Sequence, residues 1–320
     1  MDFSKVKMFV CLCLLVVNII IAILCINLVR EKQYIPEQEA ELAAQHLSGI
    51  GIDVEFDRTA RMIHNLPIYT VQNSETSNIP KIYKKITETF FDVSLDDDAY
   101  VKTPDGYSVS VKNTKGILLG TASLIGKNQF ECYVESAVNI RDISEISKLP
   151  SLQKLVETKK SEDFKVASKF ANTVFQDYGI RLYSVGERDY ADGKIVCFCA
   201  ELSGTKVLNL YINVYVKKGR ILCCVGNLTD SIPEKKYSAE LVDSVDLMYL
   251  ITDYLEDKTN NSKSADIKII ELSMNYKMFE LKQNEYYIIP VWMVGYEDRP
   301  GNVNYAIIDA VTGSNMEEPE

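Results

Sequence analysis

The apolar residues divide the chain into a short N-terminal segment and a long patterned remainder. From Met8 to Val29, 22 consecutive residues carry no ionisable side chain other than thiols. A helix of that length spans about 30 Å, the thickness of the bilayer hydrocarbon core. We therefore predict a transmembrane helix over residues 8–29. A cleaved signal peptide is the alternative, but its apolar core is about 7 to 15 residues long and ends at an A-x-A-like site, which is not evident here.

The numbers of positive charges on the two sides of this segment are equal, so they do not determine its orientation. Lys5 and Lys7 precede it, and Arg30 and Lys32 follow it. Because positive charge accumulates on the cytoplasmic side, the free amino group weakly favours a cytoplasmic N-terminus. Residues 1–7 are then a cytoplasmic tail too short to fold, and the soluble function must lie beyond the helix.

One face of the predicted helix carries small and polar side chains. Cys11, Asn18 and Cys25 recur every seven residues, and Ala22 follows Asn18 by four. An amide at mid-membrane gains from a hydrogen bond to a neighbouring helix, an effect of roughly 0.6–2 kcal/mol. We therefore predict that these four residues form a partner-binding face. A tolerated amide in a passive anchor is the alternative interpretation.

Helix-period patterns recur in the remainder of the chain. A stretch from Pro36 has early Glu residues and ends at Gly49 and Gly51, as expected of a helix followed by a strand. Ser161 and Asp163 open a second helix, and a third is predicted from Ser238 to Glu256. The apolar positions of the second helix are Phe164, Ala167, Phe170, Ala171, Val174 and Phe175, and those of the third are Leu241, Val245, Met248, Tyr249, Ile251 and Leu255.

Alternating or apolar runs bounded by turn residues predict the strands. They are Tyr107 to Val111, Ile117 to Leu124, Phe130 to Val138, Lys194 to Leu202, Leu208 to Val216, Ile221 to Gly226, Ile267 to Leu281, Tyr286 to Tyr296 and Asn304 to Asp309. Close turns between several runs favour antiparallel pairing. We predict an α+β fold with two extracytoplasmic units of antiparallel sheet packed with helices, over residues 33–150 and 160–316, divided between Ile146 and Lys160.

The charge pattern excludes some classes of partner. The formal net charge is -10, the pI is near 5.0, and the basic residues are scattered. Nucleic-acid phosphates require clustered Lys and Arg, so we predict no nucleic-acid binding. Broad docking on anionic lipid is disfavoured for the same reason, which leaves the apolar helix as the membrane attachment.

The sequence shows no recognisable catalytic site. His46 and His64 are the only histidines, and neither belongs to a spaced ligand set. No nucleophile elbow, P-loop or Gly-rich strand-to-helix turn is present. Asp96, Asp97 and Asp98 are consecutive rather than alternating, which is typical of a solvated turn rather than a calcium loop. We predict no catalytic residues, no metal site, no cofactor and no enzymatic activity.

Five of the eight cysteines lie outside the predicted membrane helix. An odd number argues against a fully paired disulfide framework, and at most one cross-strand bridge is expected. We predict small buried hydrophobes rather than redox groups, because no C-x-x-C motif exists. The five residues are Cys132, Cys197, Cys199, Cys223 and Cys224.

Both ends of the chain resemble a known family. The opening MDFSKVK with the apolar segment behind it resembles the YycI (WalI) proteins of Gram-positive bacteria, although Phe3 stands where Trp is expected. The segment YYIIPVWMVGYEDRPGNVNYAIIDAVTG resembles them too, and also PepSY-like modules, in which a Pro-Val-Trp strand precedes an Asp-Ala-x-Thr-Gly turn. Residues 1–30 and 264–314 carry this resemblance.

The resemblance implies a function in signalling. Family members are single-pass proteins of the cell membrane with a cytoplasmic N-terminus, and they adjust a sensor histidine kinase of a two-component system for cell-wall homeostasis. A sister protein, YycH, is the second implied partner. A PepSY-like binding or peptidase-inhibitor module is an alternative, with a groove near Tyr286, Tyr287 and Trp292, although a core position for Trp292 is favoured. A membrane-anchored enzyme is the third option.

Overall fold

The structure is a computed structural model, and its described part forms two compact units. It describes residues 17, 21, 42, 44, 45, 47–49, 51–54, 65–72, 79–126, 128–137, 143, 145, 146, 161–175, 181–227, 234–242, 244–259, 267–282, 285–299 and 301–316. The smaller unit comprises residues 1–66, 239–273 and 292–320, and the larger comprises 67–238 and 274–291. Strand content exceeds helix content in the described residues, so the α+β class is confirmed in a sheet-rich form.

The described helices and strands are numbered here in chain order. The helices are α1 (Ile79–Phe91), α2 (Glu162–Phe175) and α3 (Ser244–Thr259), and Asp97–Ala99 forms a 3₁₀ turn. The strands are β1 (Ile52–Val54), β2 (Asn65–Gln72), β3 (Val101–Thr103), β4 (Gly106–Lys112), β5 (Leu118–Ile125), β6 (Gln129–Tyr133), β7 (Leu182–Tyr190), β8 (Gly193–Leu202), β9 (Thr205–Lys217), β10 (Arg220–Asn227), β11 (Glu234–Glu240), β12 (Ile267–Lys282), β13 (Glu285–Arg299) and β14 (Asn302–Asp309).

A path of paired strands organises the larger unit. The hydrogen-bonded order is β11-β2-β13-β12-β9-β10-β6-β5-β4-β3, with β8 beside β9 and β7 beside β8. Neighbouring strands in sequence pair as hairpins, as in the turn that joins Lys217 to Arg220. β6 and β10 are distant in sequence and also pair antiparallel, with Cys132 opposite Cys224. Most of the pairings described here are antiparallel, as predicted.

Two pairings depart from the antiparallel prediction. β12 runs parallel to β9, with Tyr276 opposite Val207, and β1 runs parallel to β12, with Ile52 opposite Ile267. The sheet is therefore mixed. A parallel pair needs a long crossover connection, and no local turn signal marks such a pair in the sequence.

Helices α1 and α2 cover one face of the sheet in the larger unit. Their apolar residues join β4 to β6 and β8 to β10 in one buried cluster. On α2, the buried residues are Phe164, Ala167, Phe170, Ala171, Val174 and Phe175, the six that the helical period predicted. Phe90 of α1 contacts Phe170 of α2 edge to face, with ring centroids 6.3 Å apart. The sequence pattern thus identified the core face of α2 correctly.

The start of α2 also follows its sequence signal. The Phe164 backbone N–H donates to Ser161 Oγ at 3.0 Å, so Ser161 is the N-cap. Asp163 accepts a hydrogen bond from the Gly219 backbone N–H at 2.8 Å, which ties the β9–β10 turn to the helix. Glu162 and Asp163 lie in the first turn, where negative charge is favourable.

A short segment around Ile143 and Ile146 covers the opposite face. Both side chains belong to a second buried cluster with residues of β8, β9 and β10. Asn213, on β9, is fully buried and donates from Nδ2 to the Ile146 carbonyl at 2.7 Å. Arg188 of β7 donates to the Glu145 carbonyl at 2.9 Å. Side-chain donors from the sheet therefore hold this segment in place.

Replacing Asn213 with alanine is expected to lower the free energy of unfolding by about 1–3 kcal/mol, because the Ile146 carbonyl then loses its donor inside the protein. Chemical denaturation of the full chain in detergent micelles measures this. Asn172→Ala, at an exposed position of α2, is the matched control and should change stability by less than about 0.5 kcal/mol. Equal stability of both variants would show that Asn213 does not hold the segment.

In the smaller unit, helix α3 is accompanied by β1, β14 and parts of β12 and β13. Leu247, Ile251 and Leu255 form its buried side, whereas Tyr249 is 52% exposed. Gly313, at φ 74°, lies directly against the Leu250 side chain, so the turn after β14 requires a residue without a Cβ. This turn contains the Asp-Ala-x-Thr-Gly run, Asp309 to Gly313, that the sequence analysis described as a turn.

The sequence analysis placed the start of the third helix too early. The prediction placed its start at Ser238, but Glu234–Glu240 forms β11 and α3 begins at Ser244. β11 pairs with the sheet through β2. Those backbone hydrogen bonds outweigh the helical propensity of Ala239 and Glu240. Tyr249, which the prediction assigned to the apolar face, is exposed, whereas Ile251 and Leu255 are buried as predicted.

Several predictions fall on residues that the structure does not describe. Of the predicted transmembrane segment, residues 8–29, only Val17 and Ile21 are described, and both are helical. Among the described residues, none of the helices is long and apolar enough to span a membrane. Of the predicted unit boundary, only Ile146 is described, so the division into 33–150 and 160–316 stays a prediction. The tail over residues 1–7 and the helix from Pro36 likewise lie largely outside the described residues.

Candidate functional site

The predicted partner-binding face cannot be placed in the structure. Cys11, Asn18, Ala22 and Cys25 all lie outside the described residues. Within the described part of the larger unit, the feature best suited to bind a ligand is a polar cavity beside β9. The backbone pairing of β9 explains why a cavity forms there.

Strand β9 changes its hydrogen-bonding partner along one edge. β8 occupies the other edge, where it pairs with Thr205 to Val207 and with Tyr211 to Val216, and residues 208–210 form a bulge between these two stretches. On the remaining edge, β12 pairs at Val207, whereas β10 pairs from Ile212 onwards. Two strands of opposite direction thus meet at the middle of β9. A gap between them follows, because one ladder ends where the other begins.

The amide of Asn209 replaces the missing ladder hydrogen bonds. Its Nδ2 donates to the Met278 carbonyl at 2.7 Å, and its Oδ1 accepts from the Met278 backbone N–H at 2.8 Å. Asn227 of β10 donates from Nδ2 to the Asn209 carbonyl at 3.0 Å. Two side-chain amides therefore connect β9 with β12 and β10 at the point where the ladder changes partner. Polar residues are needed here because backbone groups would otherwise lack partners.

The cavity that opens at this point has a volume of about 370 Å³, within the range of small-molecule sites. We call it the β9 cavity. Its walls come from the β5–β6 turn and from β9, β10, β12 and β13 of the larger unit. The lining residues are Ile125, Asn128, Gln129, Tyr211, Asn227, Glu280 and Tyr286. Three amides, two phenols and one carboxylate therefore face a shared space, and none of these lining residues is basic.

Close packing of the backbone fixes the neighbouring wall. A Cβ at Gly226 would overlap the Tyr211 carbonyl and approach the Phe130 ring to 2.7 Å. Only glycine allows β10 to approach β9 this closely beside Tyr211. Asn227, the next residue, is thereby fixed in the cavity wall.

The local electrostatics of the β9 cavity are acidic. Burial raises the pKa of Glu131, and the hydrogen bond from Gln129 Nε2 to its Oε1 at 3.4 Å opposes that shift. Burial also raises the pKa of the Tyr211 phenol, and the nearby Glu131 carboxyl contributes in the same direction. Tyr211 is therefore a neutral donor and acceptor at physiological pH.

One acceptor in the wall lacks a hydrogen bond. Asn128 Oδ1 is buried, and no donor for it is found in the described residues. A buried amide oxygen without a donor is costly, since it has lost its water without compensation.

The alternative groove near Tyr286, Tyr287 and Trp292 is only partly present. Tyr286 lines the β9 cavity. Trp292 is 4% exposed, which confirms the favoured prediction that it lies in the core. The Tyr287 ring is covered by the Lys236 ammonium group, 4.4 Å from its centroid. The three aromatic residues do not line one groove.

All five cysteines outside the predicted membrane helix are buried, and none of these five forms a disulfide bond. Cys132 and Cys224 belong to the cluster under the helices, whereas Cys197 and Cys223 belong to the cluster on the other face. Adjacent residues Cys223 and Cys224 therefore point to opposite faces of the sheet. Their burial matches the prediction that they act as small hydrophobes.

The acidic cluster at Asp96–Asp98 lies in and beside the 3₁₀ turn, and Asp96 and Asp98 are exposed. In the part of the chain that the structure describes, no group of three or more His, Cys, Asp or Glu side chains is placed to hold a metal ion. His46 and His64 lie outside that part.

The sequence prediction missed the β9 cavity. Its lining residues are spread from position 125 to 286, and none of them forms a motif with its sequence neighbours. The strand predicted from Leu208 to Val216 contains two polar residues, Asn209 and Asn213, and Asn209 lies where the ladder is interrupted. A polar residue at an inward position of a strand can indicate such an interruption.

Comparison with protein-family models finds no match, and comparison with curated proteins finds none either. Three solved structures show limited likeness. A protein from Eubacterium rectale has 15% identity and a TM-score of 0.47, with 84% of this chain and 90% of that chain covered. YycH from Bacillus subtilis has 12% identity and a TM-score of 0.39, with 75% and 52% covered. The YpeB C-terminal domain of Bacillus megaterium has 11% identity and a TM-score of 0.35, with 77% and 97% covered.

This chain thus spans about half the length of the YycH structure. All three identities are below 25% and all three TM-scores are below 0.5. Similarity at this level establishes neither a family nor an activity for the chain.

Proposed function

We propose that the chain is a membrane-anchored accessory regulator of a sensor histidine kinase in a two-component system for cell-wall homeostasis. It acts by protein contact, through a transmembrane helix over residues 8–29 and an extracytoplasmic domain behind it. A YycH-like sister protein is the second partner. The observation that carries the proposal is the resemblance of both chain ends, residues 1–30 and 264–314, to the YycI family.

The geometry of the C-terminal segment supports this resemblance. The Pro-Val-Trp run lies inside β13, and the Asp-Ala-x-Thr-Gly run forms the turn after β14. Asp309 Oδ1 accepts hydrogen bonds from the Val311 and Thr312 backbone N–H groups at 2.7 and 3.2 Å. The Gly313 N–H donates to the Asp309 carbonyl at 2.8 Å. An aspartate at this position therefore closes the turn with its side chain, which gives the motif a structural reason.

The proposal places the protein in the cell membrane as a single-pass protein. Residues 1–7 lie in the cytoplasm, and the rest of the chain after the helix lies outside it. No enzymatic step belongs to the proposal, because regulation by contact requires only complementary surfaces. Association depends on the face formed by Cys11, Asn18, Ala22 and Cys25, whose small side chains permit close helix approach.

Replacing Asn18 with leucine is expected to weaken association with the kinase or the sister protein while leaving membrane insertion intact. The interhelical hydrogen bond that is lost is worth about 1 kcal/mol, which corresponds to a roughly fivefold weaker association. Co-purification of the tagged full chain from its native membranes, quantified for the kinase, measures the effect. Ile19→Leu, on another face of the helix, is the matched control.

Equal recovery of the kinase with Asn18→Leu and with wild type would show that this face of the helix does not contribute to recognition. If a wholly unrelated anchor also preserved signalling, recognition would lie in the soluble domain. Absence of any histidine kinase from the wild-type sample would favour the alternative, a PepSY-like binding or peptidase-inhibitor module.

A further inference from the structure

The hairpin that joins β4 to β5 presents apolar side chains to solvent at its tip. Ile117 is 59% exposed and Leu118 is 44% exposed. Of the large hydrophobic residues that the structure describes as exposed, these are the only two that are adjacent in the sequence. Leu119, the next residue, packs against the core cluster under the helices. Ile117 and Leu118 are therefore the part of this hairpin that is available to a partner.

Hydrogen bonds fix the conformation of this tip. Asn113 Oδ1 accepts from the backbone N–H groups of Lys115 and Ile117, each at 2.9 Å. The Asn113 N–H donates to the Ile117 carbonyl at 2.8 Å, and the Gly116 N–H donates to the Asn113 carbonyl at 2.9 Å. Gly116 has a φ of 77°, which favours glycine. The exposure of Ile117 is therefore a property of an ordered turn.

Two lysines flank the apolar pair. Lys112 lies directly opposite Leu118 in the antiparallel register, and Lys115 lies in the turn itself. Both lysines are exposed. The carboxylate of Glu135 accepts a hydrogen bond from Thr121 at 2.9 Å, three residues beyond Leu118 along β5. The end of the hairpin therefore combines an exposed apolar pair with two positive charges.

We propose that this hairpin tip, residues 112–118, inserts its apolar pair into the surface of a bilayer that contains anionic lipid. The inference goes beyond the proposed function, and it requires neither the kinase nor the sister protein. It concerns a single tip rather than a broad basic face, so it agrees with the scattered distribution of basic residues along the chain.

A bilayer surface matches both components of the tip. Apolar side chains of interfacial segments reach about 5–10 Å into the boundary between headgroups and acyl chains, which removes their apolar surface from water. Lysine side chains near the same surface are attracted to anionic headgroups. Because the turn is already ordered, insertion costs little conformational entropy.

A protein partner matches the tip less well. Lysine is depleted from the centres of protein–protein interfaces, where aromatic residues and arginine are enriched. Residues 112–118 contain two lysines, no aromatic residue and no arginine. The composition of the tip therefore favours a lipid surface.

Fluorescence quenching by brominated lipid tests the proposal on the full chain in vesicles of equal parts phosphatidylglycerol and phosphatidylcholine. Ile117→Trp places a reporter at the tip, and the signal of the native Trp292, which is buried, is measured on wild type and subtracted. Bromine on the upper acyl chains should lower the emission of the reporter at least about twofold, because the tip lies at that depth. Ile125→Trp, at the opposite end of β5 and 38% exposed, is the matched control and should not be quenched.

Neutral substitution of the lysines tests the electrostatic part of the proposal. Lys112→Gln and Lys115→Gln, each in the Ile117→Trp chain, should lower the ratio of inserted to free tip about fivefold, because one lysine near an anionic surface contributes about that factor. Vesicles of phosphatidylcholine alone should lower the same ratio for the Ile117→Trp chain. Circular dichroism confirms that each variant is folded, and vesicle flotation reports the predicted anchor separately.

The proposal is overturned if the reporter at position 117 is not quenched in the folded, vesicle-bound chain, or if the reporter at position 125 is quenched equally. Unchanged quenching in both glutamine variants and in phosphatidylcholine alone would also overturn it, since insertion would not depend on anionic lipid. Shielding of the reporter only after membrane proteins are added would assign the tip to a protein partner instead. No kinase is present in these measurements, so failure here and failure of the proposed function are separately visible.

Discussion

Phe130→Ala is expected to lower the free energy of unfolding by about 3–5 kcal/mol, the range for removing a large aromatic side chain from a core. Phe130, on β6, has no exposed surface and belongs to the cluster that α1 and α2 cover. Its ring also lies against Gly226 of β10, which has no Cβ to fill the space that alanine would leave. The site therefore cannot collapse easily around the smaller side chain. Urea unfolding of the full chain in detergent micelles, followed by circular dichroism, measures the loss.

Ile117→Ala is the matched control for this core substitution. Ile117 is 59% exposed in the turn before β5, so its truncation should change stability by less than about 0.5 kcal/mol. A Phe130→Ala protein as stable as the control would contradict the assignment of β6 to the centre of the core.

Alkylation of the thiols of Cys132, Cys197 and Cys199 at pH 8 is expected to be at least about a thousandfold slower in the native protein than in the unfolded chain. Burial raises the pKa of each thiol from 9.0 to about 12. Since each pKa unit changes the ionised fraction tenfold, and the thiolate is the reactive form, three units give this factor before steric protection is counted. Peptide-resolved mass spectrometry separates these thiols from Cys11, Cys13 and Cys25.

The same shifts predict how stability depends on pH. Above pH 9 the unfolded thiols lose their protons, whereas the buried thiols keep theirs until about pH 12. The native state then binds more protons than the unfolded state, so the free energy of unfolding falls as pH rises from 9 towards 12. Below pH 9 the thiols make no pH-dependent contribution.

A thiol introduced at an exposed turn provides the control for both experiments. Thr114→Cys lies in the β4–β5 turn and should be alkylated at close to the rate in the unfolded chain. If Cys132, Cys197 and Cys199 react as fast as that exposed thiol in the folded protein, these three cysteines are not core residues.

Sequence patterns predicted the helices and strands that are specified by residues close to one another in the sequence. The six apolar residues of α2 have the helical period and their N-cap is Ser161, so both the helix and its buried face could be predicted. Strands β4 and β5 were predicted within about one residue because period-two alternation reports one buried face. Strand β8 was predicted as closely from its continuous apolar run, which is buried on both faces. Helix α1 was missed, although Ile82, Tyr83 and Ile86 recur at helical spacing.

Long-range pairing could not be predicted from these patterns. β2 pairs with β13 across more than two hundred residues, and neither strand contains a signal that specifies the other. The parallel pairing of β12 with β9 could not be predicted for the same reason, because neither strand contains a signal that specifies the other. The β9 cavity follows from that pairing, because it forms where the edge of β9 passes from β12 to β10. Motif analysis therefore cannot detect a site that forms where a strand changes its pairing partner.

The central claim, that this chain regulates a sensor histidine kinase by contact, is tested most directly by autophosphorylation of the co-purified kinase in lipid vesicles. The kinase is measured alone, with the wild-type full chain and with the Asn18→Leu variant at equal protein-to-lipid ratio. The account predicts that the wild-type chain changes the initial rate, in either direction, and that Asn18→Leu changes it less. An identical rate in all three samples, with the chain inserted and folded, would contradict it.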